Sequence, residues 1–151
     1  MITIEEFKKK QLNKSRLIGL DLGSKKIGVS ICDEKQSIAT PFKTIVKSSS
    51  DKLIDELKLI IKENDIGGII IGNPINMDGT TGPSSQSVRD IAKNISKNID
   101  IPIFLWDERL STVGAFNLSS QLDIKVSKKI KNIDQNAAAF ILQGAIDYLK
   151  N

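Results

Sequence analysis

A chain of 151 residues with 40% hydrophobic and 26% charged side chains has the composition of one globular domain with its own core. Its net charge of +4 permits a nucleic-acid partner without requiring one. The chain contains no histidine and a single cysteine, Cys32, which excludes an internal disulfide, a zinc site of histidine and cysteine, and acid–base catalysis by histidine. Carboxylates would have to hold any catalytic metal, which favours magnesium or manganese.

The amino-terminal segment differs in composition from the rest of the chain. Residues 1–15 carry Glu5, Glu6 and the run Lys8-Lys9-Lys10, with no apolar core of a signal peptide. We expect them to be a basic extension, with room for one short helix, that promotes solubility. No stretch approaches the ~18 apolar residues of a membrane span. We therefore expect a cytoplasmic protein, with residues 16–151 forming a single domain.

Residues 16–33 organise the predicted fold. Residues 17–22 are a short apolar run, and residues 27–32 alternate between apolar and small side chains, which predicts two strands around a glycine-bearing turn. Asp21 is the exception in the first strand. Burying an unpaired carboxylate is costly, so Asp21 is either a site residue or a cap for nearby backbone N–H groups. This stretch alone leaves both interpretations open.

Further strands and helices follow in alternation. Pro41 cannot donate a hydrogen bond to a sheet, so the third strand is expected to lie at an edge or to be broken near that residue. Apolar spacing predicts the elements that come later. They are a strand over residues 38–46, a helix from about 53 to 64, a buried strand at 69–72, a helix over 88–99, a strand at 101–106, a helix over 112–121 and a final helix opened by Asp134.

Acidic residues follow the ends of the predicted strands. Asp107 and Glu108 come directly after the last strand, and Asp134 lies in the first turn of the final helix, where the helix dipole alone would favour it. With the first strand central in the sheet, these acids would converge with Asp21. Converging carboxylates repel unless a cation joins them. The pattern therefore predicts a divalent metal site suited to phosphodiester hydrolysis, with one ion or with two ~3.5–4 Å apart.

Basic residues cluster just before the final helix. We expect them to bind the phosphate backbone of a nucleic acid, although a merely solvated basic face is the plain alternative. Arg109 could contact phosphate or pair with the neighbouring acids. The cluster contains Lys125, Lys128, Lys129 and Lys131.

Four motifs in this order resemble the YqgF family, also called RuvX, over about residues 16–150. The resemblance implies an α/β, ribonuclease H-like fold with a five-stranded mixed sheet flanked by helices. It also implies an endonuclease that matures the 5′ end of 16S ribosomal RNA, or else a Holliday-junction resolvase. The motifs are GLDLGSKKIG at 19–28, GNPINMDG at 72–79, DERLST at 107–112 and DQNAAA at 134–139.

The resemblance assigns roles to individual acids. Asp21, Glu108 and Asp134 fall at the three acidic positions of the family, where they would bind Mg²⁺ or Mn²⁺, and Asp107 competes with Glu108 for the middle position. The expected partner is precursor 16S rRNA or branched DNA, and the expected state is a monomer or weak dimer.

Two other classes remain open at the level of sequence. The first motif also resembles the phosphate loop of actin-like kinases and ATPases, although those proteins close two such domains around a nucleotide and this chain supplies one. A module that binds nucleic acid without cutting it is the other alternative. Nucleotide binding, compared with metal-dependent cutting, would distinguish these classes.

Overall fold

The computed structural model describes Glu6, Phe7 and Lys9 together with residues 16–73, 83–107 and 133–150. Its strands and helices follow the predicted order. The strands are β1 (Arg16–Leu22), β2 (Lys26–Cys32), β3 (Ala39–Val46), β4 (Ile66–Asn73) and β5 (Ile103–Asp107), and the helices are α1 (Ser50–Asn64), α2 (Pro83–Asn98) and α3 (Ile133–Lys150).

The five strands form one mixed sheet in the order β3-β2-β1-β4-β5. β1 pairs antiparallel with β2 and parallel with β4, and β5 extends the parallel half beside β4. β1 therefore lies at the centre of the sheet. This arrangement confirms the predicted α/β fold, in which an antiparallel hairpin region precedes two parallel strands.

Each face of the sheet carries its own core. Ile18 and Leu20 of β1 lie in the core beneath α1 and α2, which we call the α1–α2 core. Leu17 lies with Leu142 and Ile146 in the core beneath α3, the α3 core. Because side chains alternate along a strand, β1 supplies both cores from successive positions. A strand buried on both faces explains why its sequence is almost wholly apolar.

The bounds of α1 follow from its local sequence. Ser49 caps the amino end, where its side chain accepts a hydrogen bond from the backbone N–H of Lys52 at 3.3 Å. At the other end, Asp65 adopts a left-handed conformation with φ 52°, and its N–H donates to the carbonyl of Ile61. The helix begins at Ser50, three residues before the predicted start, and the predicted end near Asn64 is confirmed.

β3 is an edge strand, as Pro41 predicts. It pairs only with β2 among the described strands, and the pairing shifts register between Val29 and Ser30. Val29 pairs with Lys43 and Ser30 with Pro41, so Phe42 is the extra residue of a bulge. The edge position leaves Phe42 40% exposed.

Phe7, from the amino-terminal segment, is fully buried in the α3 core. Its ring centroid lies 6.3 Å from that of Phe104. A Cβ added to Gly68 would lie 2.6 Å from Cζ of Phe7, so only a glycine leaves room for this ring. The predicted strand starts at residue 69, whereas β4 starts at Ile66, so Gly67 and Gly68 lie within the strand. The basic extension thus contributes an apolar side chain to the domain core.

Cys32 is a buried core residue, as predicted. Its sulfur accepts a hydrogen bond from the backbone N–H of Leu17 at 3.1 Å. Burial raises the pKa of the Cys32 thiol above its ordinary value, and the nearby carboxylate of Asp33 raises it further. The thiol is therefore held in its neutral form.

Two predicted segments lie outside the described residues, namely the helix over 112–121 and the basic segment 125–131. Within the described part of the chain, no helix combines the length and apolar character that a membrane crossing needs.

Candidate active site

Three polar side chains end neighbouring strands at one edge of the sheet. Asp21 is near the end of β1, and Asn73 and Asp107 are the last residues of β4 and β5. The parallel register pairs Leu20 with Ile71 and Asn73 with Asp107, so the three strands end at a similar level. Asp21 and Asp107 are half-buried and Asn73 is only 6% exposed. This carboxyl edge is where open α/β sheets bind ligands.

A close contact joins the centre of β1 to α3. A Cβ added to Gly19 would lie 2.8 Å from Cβ of Leu142 and 2.9 Å from the carbonyl oxygen of Ala138. Beside it, the hydroxyl of Ser30 donates a hydrogen bond to that same carbonyl oxygen at 2.7 Å. Glycine at position 19 thus lets the helix backbone approach the sheet, and Ser30 fixes the helix in place.

Gln143 shows which way α3 runs across the sheet. Its Oε1 accepts a hydrogen bond from the N–H of Ala39 at 2.8 Å, and Ala39 pairs with Cys32. Cys32 ends β2, so it lies beside the start of antiparallel β1. Because Gln143 lies near the start of β1 and Ala138 lies at Gly19, α3 runs antiparallel to β1. Its first turn therefore points toward the carboxyl end of β1.

This direction brings the start of α3 to the edge that carries Asp21. Asp21 is two residues beyond Gly19, a step of about 6.6 Å along a strand. Asp134 is four residues before Ala138, a step of about 6 Å along a helix in the same direction. The backbone of Asp134 is thus carried toward Asp21 by about the same distance.

Asp107 belongs to the other face of the sheet. Asp21 follows Gly19 by two residues, so it shares the face that α3 covers. Trp106 is buried in the α3 core, whereas Leu105 packs against the α1–α2 core. Asp107 follows Leu105 by two residues and so shares the face of α1 and α2. Asp21 and Asp107 therefore lie at the same edge of the sheet but on its opposite faces.

The side chains of the remaining predicted site residues fall outside the described part of the chain. No group of three or more Asp, Glu, Cys or His side chains that could hold a metal occurs among the described residues. Of the three predicted metal ligands, Asp21 alone has its side chain in that set. Outside the set lie the side chain of Asp134 and the residues Glu108, Arg109, Lys125, Lys128, Lys129 and Lys131.

A family model described as "RuvX: Holliday junction resolvase" matches residues 15–148. The chain belongs to the RuvX family. A relative from Pelagibacter ubique, named "Putative pre-16S rRNA nuclease", is 75% identical over 151 residues and is covered in full, as is this chain. One of the same name from Ruegeria pomeroyi is 43% identical over 149 residues, covering 99% of this chain and 97% of its own.

Solved structures show the same fold at low sequence identity. Thermus thermophilus RuvC in complex with a Holliday junction substrate superposes with a TM-score of 0.61 at 10% identity, covering 91% of this RuvX chain and 96% of its own. The yeast mitochondrial Holliday junction resolvase Ydc2 gives a TM-score of 0.55 at 13% identity, with 97% and 84% coverage. The predicted family and fold are confirmed, and membership in this nuclease family makes the chain a phosphodiester hydrolase.

Sequence reasoning missed the residues that position the site. Gly19 looked like an interruption of an apolar run, and Ser30 looked like an ordinary polar position in an alternating strand. Their shared contact with Ala138 joins residues more than 100 positions apart, which no local pattern reveals. The predicted strand ends at residue 72, whereas Asn73 is the last residue of β4 and is only 6% exposed.

Proposed function

We propose that this RuvX protein is a metal-dependent endonuclease that cuts precursor 16S rRNA near its 5′ end. The observation that carries the proposal is the position of Asp21. It ends the central strand at the ligand-binding edge, and the Gly19–Ala138 contact directs the first turn of α3 to that edge. The names of the curated relatives supply the substrate.

The donor set in this proposal fits a hard divalent cation. The chain has no histidine, and the predicted ligands Asp21, Glu108 and Asp134 are all carboxylates, which suit Mg²⁺ or Mn²⁺. We propose one or two ions, which Asp21 would hold together with Glu108 and Asp134. The metal would supply an activated water and charge stabilisation of the leaving oxygen when bound. Asp107 is the weaker candidate for the middle ligand because it shares the face of α1 and α2.

Other parts of the chain would position the substrate and the ligands. β1 is buried on both faces, so it holds Asp21 on a rigid element. The contact of Gly19 and Ser30 with α3 would hold Asp134 at a fixed distance from Asp21. Lys125, Lys128, Lys129 and Lys131 would bind phosphates of the nucleic acid, and Arg109 would either join them or orient the acids. We place this activity in the cytoplasm.

The decisive experiment replaces the central acid. Asp21→Asn keeps the shape of the side chain and removes its charge, so it is expected to abolish cleavage of precursor 16S rRNA in magnesium or manganese. Asp51→Asn, at an exposed position in the first turn of α1, is the matched control and should cut at the wild-type rate. Calorimetric titration with Mn²⁺ should show binding lost with Asp21→Asn alone. An Asp21→Asn protein that cuts normally would refute the proposal.

Resolution of Holliday junctions is the second candidate function, because the matching family model carries that description. It would use the same metal chemistry on branched DNA. Incubating the purified protein with precursor 16S rRNA and with a four-way junction, at the same salt and metal concentration, distinguishes the two functions.

A further inference from the structure

Charged side chains are distributed unevenly between the two edges of the sheet. At the carboxyl edge of β1, the β1–β2 turn and the end of β3 carry the exposed residues Lys25, Lys26 and Lys47. At the opposite edge, a cavity of about 240 Å³ is lined by acidic side chains and by Arg16. The acids of that cavity are Glu34, Glu63 and Asp65. A polyanion is therefore favoured at the edge that carries Asp21 and disfavoured at the other.

The turn holds two of these lysines close to Asp21. The N–H of Gly23 donates to the carbonyl of Asp21 at 3.1 Å, which closes a tight turn. A Cβ added to Gly23 would lie 2.6 Å from the carbonyl oxygen of Lys26, so the turn requires glycine. The N–H of Lys47 donates to the carbonyl of Lys25 at 2.9 Å and ties the end of β3 to the same turn. The three lysines thus belong to one rigid unit.

Apolar side chains are also exposed on β3, the edge strand that Lys47 follows. Val46 is 70% exposed and pairs with Lys26, and Phe42 is 40% exposed four residues earlier on β3. Aromatic and apolar surface among lysines is typical of proteins that bind single-stranded nucleic acids, whose bases can stack on the protein. A duplex hides its base faces, so it could bind the lysines through its phosphates but could not stack its bases on the apolar surface. We call the set Lys25, Lys26, Phe42, Val46 and Lys47 the hairpin edge.

We infer that the hairpin edge binds a single-stranded segment of nucleic acid and leads it to Asp21. The inference rests on the proposed function in taking that segment to be part of the substrate. The lysines would bind successive phosphates, and Phe42 would stack against a base. The adjoining cavity between α1, α2 and β3 shares Val46 and Lys47 with the hairpin edge but is also lined by Glu56 and Asp90, so the strand would follow β3 and not enter that cavity.

Salt-dependent binding tests the lysines directly. In the Asp21→Asn background with EDTA, fluorescence anisotropy would measure the affinity for a single-stranded RNA at several salt concentrations. Each lost phosphate contact lowers the slope of log affinity against log salt by about 0.7. A combined change of Lys25, Lys26 and Lys47 to alanine should lower it by about 2. The matched control changes the exposed Lys35, Lys58 and Lys62 and should leave the slope unchanged.

A second variant tests the preference for single strands. Phe42→Leu keeps an apolar side chain and removes the aromatic ring, so it should preserve folding. It should weaken single-stranded RNA binding by about fivefold or more and leave duplex affinity unchanged. Equal effects on both, or none, would refute the single-strand assignment. Self-association of the wild type that Phe42→Leu abolishes would show instead that the edge is a protein interface.

The two proposals can fail separately. If the wild type binds RNA through the hairpin edge but does not cut it, the proposed nuclease function is wrong and the binding surface stands. If it cuts RNA in a metal-dependent way while the triple lysine variant keeps the wild-type salt slope, the nuclease function stands and the binding surface is wrong.

Discussion

The hydroxyl of Ser30 donates a hydrogen bond to the carbonyl oxygen of Ala138 at 2.7 Å, directly beside Gly19. Ser30 is fully buried on β2, and Ala138 is fully buried one turn after Asp134 on α3. This bond and the absence of a side chain at Gly19 set the distance between α3 and the sheet. The relative position of Asp21 and Asp134 depends on that distance.

Gly19→Ala is expected to impair both stability and cleavage. The added methyl group would meet atoms at 2.6–2.9 Å, so α3 must move away from β1. Overpacking of this kind costs about 1–3 kcal/mol in the free energy of unfolding. Urea denaturation measures that cost, and a cleavage assay on the folded fraction should show a further loss because Asp134 is displaced. Normal cleavage in a fully folded Gly19→Ala protein would contradict this account of the site.

Ser30→Ala is the milder change at the same contact. It removes one hydrogen bond without adding volume, so we expect a loss of about 1 kcal/mol in the free energy of unfolding. Because the helix is not pushed outward, cleavage should fall less than in Gly19→Ala. Comparing the two variants separates the effect of the bond from that of the close approach.

The individual strands could be predicted from the sequence because their signals are local. The apolar run of β1, the alternation of β2 and the proline of β3 each specify a strand and its environment. The burial of Phe7 could not be predicted, since it depends on Gly68, 61 positions away, leaving room for its ring. A lone aromatic side chain among lysines carries no local signal of burial.

The sequence indicates which edge of the sheet carries Asp21 and Asp107, but not which face each of them occupies. Both lie at or near the end of an apolar strand, which places them at the same end of the sheet. The face of each depends on which alternate residues meet α3, and that is a property of the tertiary packing. Trp106 is in the α3 core, which gives Asp107 the opposite face from Asp21.

Because Asp107 lies on the opposite face from Asp21, we expect substitutions of Asp107 and of the adjacent Glu108 to reduce cleavage unequally. Glu108→Gln should abolish cleavage, because our proposal makes Glu108 the middle metal ligand. Asp107→Asn should keep measurable activity, with a loss within the ~10–100-fold range of residues that orient a ligand. Single-turnover cleavage at saturating Mn²⁺ measures both. A larger loss of cleavage in Asp107→Asn than in Glu108→Gln would identify Asp107 as the metal ligand. It would also show that side chains no longer alternate between the two faces of the sheet at the active site.

The buried thiol of Cys32 predicts a specific pH dependence. Burial raises its pKa in the folded protein, so folding favours the protonated thiol. This contribution is complete at neutral pH and is lost as the pH rises through the folded-state pKa in the alkaline range. The free energy of unfolding should therefore fall more steeply with alkaline pH in the wild type than in Cys32→Ala. Parallel denaturation curves for the two proteins would contradict it.

Removing positive charge from the basic segment before α3 should weaken nucleic-acid binding regardless of base sequence. Changing Lys128, Lys129 and Lys131 to alanine should weaken binding to all nucleic acids. It should also flatten the salt dependence by up to about 0.7–0.9 units of log–log slope per lost phosphate contact. Metal binding, measured by calorimetry with Mn²⁺, should remain intact. An unchanged salt slope would identify these lysines as a solvated face.

The number of active sites that act together distinguishes the two candidate substrates. Resolving a four-way junction takes two symmetric nicks and hence two sites held in a dimer with twofold symmetry. Trimming one end of a precursor RNA takes one site. The apolar faces of α1, α2 and α3 cover the sheet, and the large apolar side chains that the described parts of these helices expose are the scattered Leu59 and Tyr148, too few for a stable dimer interface. We therefore expect a monomer or weak dimer by light scattering, single cuts near the 5′ end of precursor 16S rRNA, and weak or absent junction cutting at the same salt. A stable dimer that makes paired nicks in a junction and leaves the RNA intact would overturn this prediction and establish the resolvase function instead.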